Sequence, residues 1–233
     1  MELRKGKLLY EGKTKKLYCT NDPERLIFHF KDKAPDDKEK TIKNKGSYNN
    51  TISSSLFKFL EGYHIHTHFV QLLKPNEMVV KKMEVIPIKV VVWNFVSGTL
   101  SKRYGISKEK LLAYPILEYY LKDNKLRNPM INMDHACAFG HANPEEMQSI
   151  DRITRKINAV LKSFFDRRNL KLVEFELEFG RYREQILVGD EISLDTCHLW
   201  DIQTGESKPK ECLRLDSDDI EETYEELKNR LCL

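Results

Sequence analysis

The sequence predicts a two-lobed α+β fold, with antiparallel sheets, flanking helices and a cleft between the lobes. Apolar residues alternate with a period of two over much of residues 7–31 and again after residue 64, which indicates strands. Helical spacing appears within residues 47–60, 144–168 and 218–231. Strands therefore come first and mix with helices later, an order typical of α+β proteins whose ligands bind between lobes.

The first lobe begins with short antiparallel strands over residues 7–31, broken by a turn at residues 21–23. The highly charged residues 32–46 are predicted to form a mobile loop. A helix follows from Ser47 to Leu60, and strands return until the lobe ends near Lys82. We therefore expect lobes over residues 1–82 and 83–233.

The second lobe contains two helices with clear boundary signals. Asn143 and Pro144 are a cap and a first-turn proline, and helical spacing continues to about Arg168. The last helix runs from about Asp218 to Leu231, with acidic residues early and basic residues late, as the helix dipole favours.

Between these helices lies the stretch VEFELEFG, residues 173–180. Its alternation predicts a strand with one apolar face and one acidic face, formed by Glu174, Glu176 and Glu178. Carboxylates about 7 Å apart repel one another, so water, a metal ion or a lysine must relieve the repulsion.

Composition excludes several classes of protein. The net charge is +3, and lysines alternate with acids, which does not indicate nucleic-acid binding. The five cysteines are scattered without a CxxC pair, so neither a disulfide framework nor a zinc knuckle is expected. The sequence lacks the apolar runs of a signal peptide or a membrane span, and we expect a cytoplasmic protein.

Two sets of residues carry candidate chemistry for a nucleotide. Gly12 allows close backbone approach, and Lys13 and Lys15, two apart, are expected to leave one face of a strand and hold phosphates; the alternative is an exposed hairpin. Glu178 and Asp190 end two strands of a predicted hairpin and suit Mg²⁺; the alternative is two solvated acids. Together the two sets imply ATP.

Other clusters are weaker signals. His64, His66 and His68 alternate on a predicted strand, and such spacing suits zinc, but an exposed strand face is favoured. Trp93 and Phe95 are interpreted as core or cleft wall and not as a platform for stacking bases.

A series of motifs resembles the SAICAR synthetases, the phosphoribosylaminoimidazole-succinocarboxamide synthases. In chain order they are YEGKTKKLY, KNKGSYNN, VVKKMEVIPI, NFVSGTLSKRYG, YLKDNKLRNPMIN, VEFELEFG, LVGDE and HLWD. The resemblance implies a two-lobed fold with ATP in the cleft. The implied reaction joins L-aspartate to the carboxylate of CAIR, a phosphorylated aminoimidazole riboside, and gives SAICAR, ADP and phosphate in purine synthesis.

The resemblance also assigns roles to residues. It places Lys13 and Lys15 at the ATP phosphates, the backbone of Val80, Lys81, Lys82 and Met83 at the adenine, and Glu178 and Asp190 at Mg²⁺. It implies an N-terminal ATP-binding lobe, a C-terminal substrate and metal lobe, and a homodimer or higher homo-oligomer.

The substrate half departs from the family pattern. Lys89 stands at a family glutamate, Trp93 and His198 at arginines, Thr99 at a serine, and Glu176 at a lysine, whereas Lys102, Arg103 and Lys122 match. Because an indole cannot form a fork to an anion, the site is either rebuilt and active or has a changed substrate or weakened activity. The paired reversal at Lys89 and Glu176 suggests an ion pair of swapped polarity; charged groups well beyond about 6 Å apart, without a bridge, would contradict it.

Three functions follow: SAICAR formation, the same ATP-dependent scaffold with another carboxylate substrate, and a basic nucleic-acid-binding module. The third requires a one-sided basic patch, which the interleaved charges disfavour.

Overall fold

The computed structural model describes residues 3–34, 40–205, 207–208 and 217–232. Its elements, in chain order, are β1 (Lys5–Glu11), β2 (Lys15–Thr20), β3 (Arg25–Phe30), α1 (Lys45–Glu61), β4 (Phe69–Lys74), β5 (Glu77–Lys81), β6 (Glu84–Phe95), α2 (Gly98–Tyr104), β7 (Leu111–Leu121), β8 (Met130–Ile131), α3 (Met133–Ala138), α4 (Pro144–Asp166), β9 (Leu170–Tyr182), β10 (Gln185–Gly189), β11 (Cys197–Asp201), β12 (Ser207–Lys208) and α5 (Ser217–Leu231).

The first sheet has five antiparallel strands in the order β1-β2-β3-β5-β4. Helix α1 lies against it and buries Ile52, Leu56 and Phe57 in the core. The helix begins at Lys45, within the segment predicted as a loop, and the side chain of Lys45 is fully buried. The loop prediction is therefore wrong at Lys45 and Gly46, whereas residues 40–44 lie before the helix and outside the strands, and residues 35–39 lie outside the described residues.

The second sheet has the order β12-β11-β9-β6-β7-β8, with β10 paired to the far end of β9. All of its pairs are antiparallel. The apolar face of β9 is buried with α4, whose Asn143 cap and Pro144 start are as predicted. Two antiparallel sheets with helices confirm the α+β prediction.

The strands of the first sheet lie between residues 5 and 81, and those of the second between residues 84 and 208. The proposed boundary near Lys82 falls between them and stays a prediction. Helix α5 follows the second sheet but packs on α1, where the rings of Tyr48 and Tyr224 stack with centroids 6.5 Å apart. Consequently the C-terminal helix completes the layer beside the first sheet.

Contacts between the parts of the chain that carry the two sheets position the candidate active site. The amide of His68 donates to Val188 in β10, and the amide of Val188 donates back to His66. The ammonium of Lys45 contacts Asp195, which also accepts from the Tyr224 hydroxyl at 3.1 Å. These bonds fix the segment after β10 against α1 and α5.

The three alternating histidines do not form the predicted strand. His64 is in the left-handed region at φ 57° within a turn, and His66 is exposed. His68 is buried between Phe28 and Phe57. Burial lowers the pKa of His68 to about 3, so this imidazole is neutral at neutral pH.

In the part of the chain that the structure describes, none of the helices has the length and apolarity of a membrane span. Cys19, Cys137 and Cys232 are free thiols, and Cys212 lies outside the described ranges.

Candidate active site

A cavity of about 830 Å³ opens above one face of the second sheet. Strand β6 contributes Lys89, Val91 and Trp93 to its floor, since alternate residues of a strand share a face. In β9, Glu178, Glu176 and Glu174 stand opposite these three in the same order. The cavity wall includes Ser97, Gly98, Thr99 and Arg103 from the start of α2 and its last turn.

Each of the three glutamates of β9 has a partner within the protein. Glu178 is held by the ammonium of Lys122, and Glu176 by that of Lys89 at 3.1 Å. Glu174, 7% exposed, accepts from the hydroxyl of Ser97 at 3.3 Å. The hypothesis of an ion pair between Lys89 and Glu176 is therefore confirmed, and lysine relieves the repulsion at two of the three positions.

Glu118, a residue that the sequence analysis missed, organises the opposite side of the cavity. It stands next to Val91 in β7 and is 6% exposed. Its carboxylate accepts hydrogen bonds from Trp93 Nε1 at 3.0 Å, Arg103 Nη1 at 2.8 Å and Tyr120 Oη at 2.7 Å. Burial, followed by this carboxylate, raises the pKa of Tyr120 to about 12. Thus the guanidinium predicted to bind substrate already has an internal partner.

Six of the eight predicted substrate residues line this cavity: Lys89, Trp93, Thr99, Arg103, Glu176 and His198. His198 lies in β11 opposite Glu174, and its Nε2 is 2.7 Å from the hydroxyl of Ser207. The other two, Lys102 and Lys122, lie outside the lining, although Lys122 reaches Glu178 at its edge.

A second charged cluster joins the two sheets beside Glu178. The hairpin places Gly189 opposite Glu178, so Asp190 follows next to it, as the predicted antiparallel return requires. Lys15 in β2 contacts Asp190 and, at 2.8 Å, Glu191. The predicted phosphate lysine and the predicted metal carboxylates are thereby brought together.

Burial and the charges of neighbouring groups shift the pKa values of Lys15, Glu178 and Asp190. Burial alone lowers the pKa of Lys15, but the two carboxylates outweigh it and leave that pKa above its ordinary value. Burial, and then the charge of Asp190, raises the pKa of Glu178. For Asp190 the effect of burial is reversed by Lys15, which holds the pKa of this carboxyl below its usual range. The carboxylates of this cluster are therefore already paired with the ammonium groups of Lys15 and Lys122.

The geometry corrects the prediction for the first glycine-lysine motif. Gly12 and Lys13 lie in the turn between β1 and β2, and Lys15 opens β2, so the two lysines do not share a strand face. The turn closes through the bond from the Gly12 amide to the Lys15 carbonyl, 2.8 Å long. Lys13 is exposed and makes no ion pair with any described residue. Lys13 thus lies in the turn, whereas Lys15 forms ion pairs with Asp190 and Glu191.

The predicted adenine segment crosses from the first sheet to the second. Val80 is buried in β5, and the amides of Lys81 and Lys82 donate to the carbonyls of His68 and Glu24 at 2.7 and 2.8 Å. These two donors are therefore occupied by the protein. The side chain of Met83 packs on Gly180 and Gly189, where a methyl group at either position would collide with its thioether.

The donor set can be tested for Mg²⁺. Within the described ranges, no group of three or more His, Cys, Asp or Glu side chains is arranged to hold a metal. Glu178 and Asp190 supply hard oxygen ligands, and Mg²⁺ characteristically takes one or two carboxylates and completes its shell with phosphate and water. The residues present fit a magnesium ion that arrives with a phosphate ligand.

Comparison with known proteins shows similarity over nearly the whole chain. The family model for SAICAR synthetase matches residues 8–231. The phosphoribosylaminoimidazole-succinocarboxamide synthase of Chloroherpeton thalassium is 46% identical over 232 residues, covering 98% of this chain and 99% of the relative; that of Clostridium acetobutylicum is 40% identical over 98% and 99%. The crystal structure of the Ehrlichia chaffeensis enzyme superposes with a TM-score of 0.91 at 38% identity, covering 97% of this chain and 98% of the other. A SAICAR synthetase in complex with ADP gives 0.90 at 38% identity, covering 97% of each.

The family model, the relatives and the solved structures thus all match this chain over nearly its whole length, and the chain belongs to the SAICAR synthetase family.

Proposed function

We propose that this protein is a phosphoribosylaminoimidazole-succinocarboxamide synthase, an ATP-dependent carbon–nitrogen ligase that joins CAIR and L-aspartate in purine synthesis. One observation carries the proposal in a chain of this family: Lys89, on the floor of the large cavity, stands opposite Glu178, which lies beside the cluster of Lys15 and Asp190. A substrate carboxylate in the cavity would therefore lie next to groups suited to a nucleotide.

The chemistry requires this proximity. A carboxylate is a poor electrophile until phosphorylation gives it a leaving group, after which the aspartate amine displaces phosphate. Catalysis of such transfers is mostly positioning and stabilisation of charge on the transferring phosphoryl group. Lys13, in the turn two residues before Lys15, and Lys122, beside Glu178, supply further positive charge.

We assign Mg²⁺ to Glu178 and Asp190, and the ATP phosphates to the neighbourhood of Lys13 and Lys15. The bound ion would neutralise phosphate charge. Lys15 keeps Asp190 ionised and oriented, because it contacts both Asp190 and Glu191. The adenine is assigned to Val80, Lys81, Lys82 and Met83, next to the thioether that packs on Gly180 and Gly189.

The deciding assay incubates the protein with ATP, Mg²⁺, CAIR and L-aspartate and follows SAICAR directly. We expect SAICAR and ADP in equal amounts. Binding of ATP without any SAICAR would reject the proposal and leave the alternative of another carboxylate substrate.

Variants test the metal carboxylates. Glu178→Gln and Asp190→Asn are each expected to weaken Mg²⁺-dependent turnover by at least about tenfold, since each replaces a negatively charged oxygen ligand of the ion by a neutral amide. Glu184→Gln is the matched control, because this exposed acid lies in the hairpin that joins β9 to β10. Unchanged turnover in both test variants would remove the pair from the metal site.

Location and assembly are proposed by extension. We propose a cytoplasmic enzyme and a homodimer, the latter measurable by light scattering of the purified protein. A nucleic-acid-binding role lacks support, because lysines of the described surface, such as Lys31 and Lys74, pair with acids.

A further inference from the structure

The carboxylate of Glu118 is the point where three elements of the cavity meet. Its donors are Trp93 on β6, Tyr120 on its own strand and Arg103 on α2. A carboxylate that is 6% exposed requires such partners, because an ionised group removed from water is costly unless it is paired. Each donor is correspondingly fixed in position by the acid.

Only one of the three donors is charged. Trp93 and Tyr120 are neutral, so the guanidinium of Arg103 carries the charge compensation of Glu118. Helix α2 has seven residues, and Arg103 lies in its last turn. A long side chain on a short helix has many accessible rotamers, and the bond to Glu118 selects one that faces the cavity.

The guanidinium has one weakly occupied edge toward the cavity, at the Met130 thioether. Its two terminal nitrogens reach the two Glu118 oxygens at 2.8 and 3.4 Å, and Nη2 reaches Tyr120 Oη at 3.2 Å. The remaining contact of Nη1 is with the Met130 thioether, 3.7 Å away. Sulfur is a weak acceptor, so an anionic oxygen would displace it readily.

We propose that Glu118 is a positioning residue that holds Arg103, together with Trp93, as the anion-binding wall of the cavity. The occupant at the Met130 edge is an anionic oxygen of an acidic substrate. This inference rests on the proposed function, which supplies two such substrates, and it explains how Trp93 serves at the position of a family arginine: its indole donates to Glu118 in place of a second cation.

Steady-state kinetics of Glu118→Gln test the inference. We expect the KM of CAIR or of L-aspartate to rise by at least about tenfold, because Arg103 loses its charged anchor, while the KM of ATP changes less than about twofold. Which of the two KM values rises identifies the substrate at the Met130 edge. An equal rise in all three, or in none, would overturn the inference.

Asp151→Asn is the matched control. Asp151 accepts from Arg155 at 2.9 Å and from the Tyr119 hydroxyl at 3.3 Å, so it has the same kinds of partner outside the cavity. The control is expected to keep all three KM values. A tenfold rise in the control as well would mean that loss of any such network is sufficient, and the positioning role would be rejected.

A spectroscopic readout separates this inference from the proposed function. The chain has two tryptophans, so indole N–H signals are few, and Trp93→Phe assigns the one bonded to Glu118. Saturating CAIR or L-aspartate should shift this signal in the wild type but not in Arg103→Lys, which keeps the charge without the fork. No shift with either substrate contradicts the wall, whereas a shift without SAICAR formation contradicts only the proposed function. Should Glu118→Gln fail to fold, Arg103→Lys still tests the anion-binding wall, and an unchanged KM for both CAIR and L-aspartate would overturn the inference.

Discussion

Reversal of the Lys89–Glu176 pair tests whether the cavity floor depends on paired charge or on the particular polarity. The charged atoms are 3.1 Å apart, and each side chain is 29% exposed. At that separation two unit charges attract by about 1.3 kcal/mol in water and about 5 kcal/mol at an effective dielectric constant of about 20. Desolvation and side-chain ordering offset most of this, and measured exposed pairs give about 0.2–1 kcal/mol. Because this pair is mostly covered, we expect a coupling of about 1 kcal/mol.

The two single variants should lower the free energy of unfolding by unequal amounts. Lys89→Met leaves Glu176 without its cation between Glu174 and Glu178, whereas Glu176→Gln removes the middle charge of that row. We expect the free energy of unfolding to fall by about 1–2 kcal/mol in the first and by about 0.5 kcal/mol in the second. The double variant Lys89→Glu with Glu176→Lys should recover at least about 1 kcal/mol relative to Lys89→Glu alone.

Urea unfolding of the complete cycle in low salt measures these values, and about 0.5 M NaCl should reduce the coupling. Additive effects would refute the coupling inferred from the contact. A greater loss for Glu176→Gln than for Lys89→Met would refute the explanation based on repulsion within the row.

The remaining predictions concern the attachment of α1 and α5. Lys45→Met should lower the free energy of unfolding by about 3–5 kcal/mol, since it leaves the buried carboxylate of Asp195 without a cation. Lys43→Met should cost below about 0.5 kcal/mol, because that ammonium is 79% exposed; equal losses in urea unfolding would contradict this account. Burial raises the pKa of Asp201, but Arg230 at 2.6 Å outweighs it and leaves this pKa below the ordinary value. The unfolded state therefore takes up the proton first, so this stabilisation is complete above about pH 4 and is lost as the pH falls further. In Arg230→Met, the free energy of unfolding should fall less steeply as the pH drops below about 4. An unchanged slope would show that the pair of Arg230 and Asp201 does not cause this acid-dependent loss.

Local periodicity was sufficient to predict β9 and its two faces. Alternation needs no knowledge of distant residues, so the apolar side of β9 was assigned correctly from eight residues. The partner of Glu176 was also predictable, because two departures of opposite sign suggested one contact. Capping chemistry likewise predicted the start of α4, at Asn143 and Pro144.

Predictions that assumed one continuous element failed where a turn interrupts it. The spacing of Lys13 and Lys15 places both on one face only if the strand is unbroken, yet the bond from Gly12 to Lys15 closes a turn between them. Similarly, Lys45 belongs to a highly charged stretch that suggests a loop. Its burial depends on an acid 150 residues later, which local composition does not reveal.

Glu118 was missed for the same physical reason, and its position changes how the cavity charge is understood. Its partners are 15 and 25 residues away, so the contact exists only in the register of β6 and β7 and the placement of α2. Once the pairs are counted, Lys89 and Arg103 each serve an internal acid, and neither is an uncommitted cation. An acidic substrate must therefore bind as an additional partner of an ion pair instead of replacing one. Such binding depends on the fixed direction of the remaining N–H groups more than on net charge, which is why a neutral Trp93 is compatible with a functional anion site.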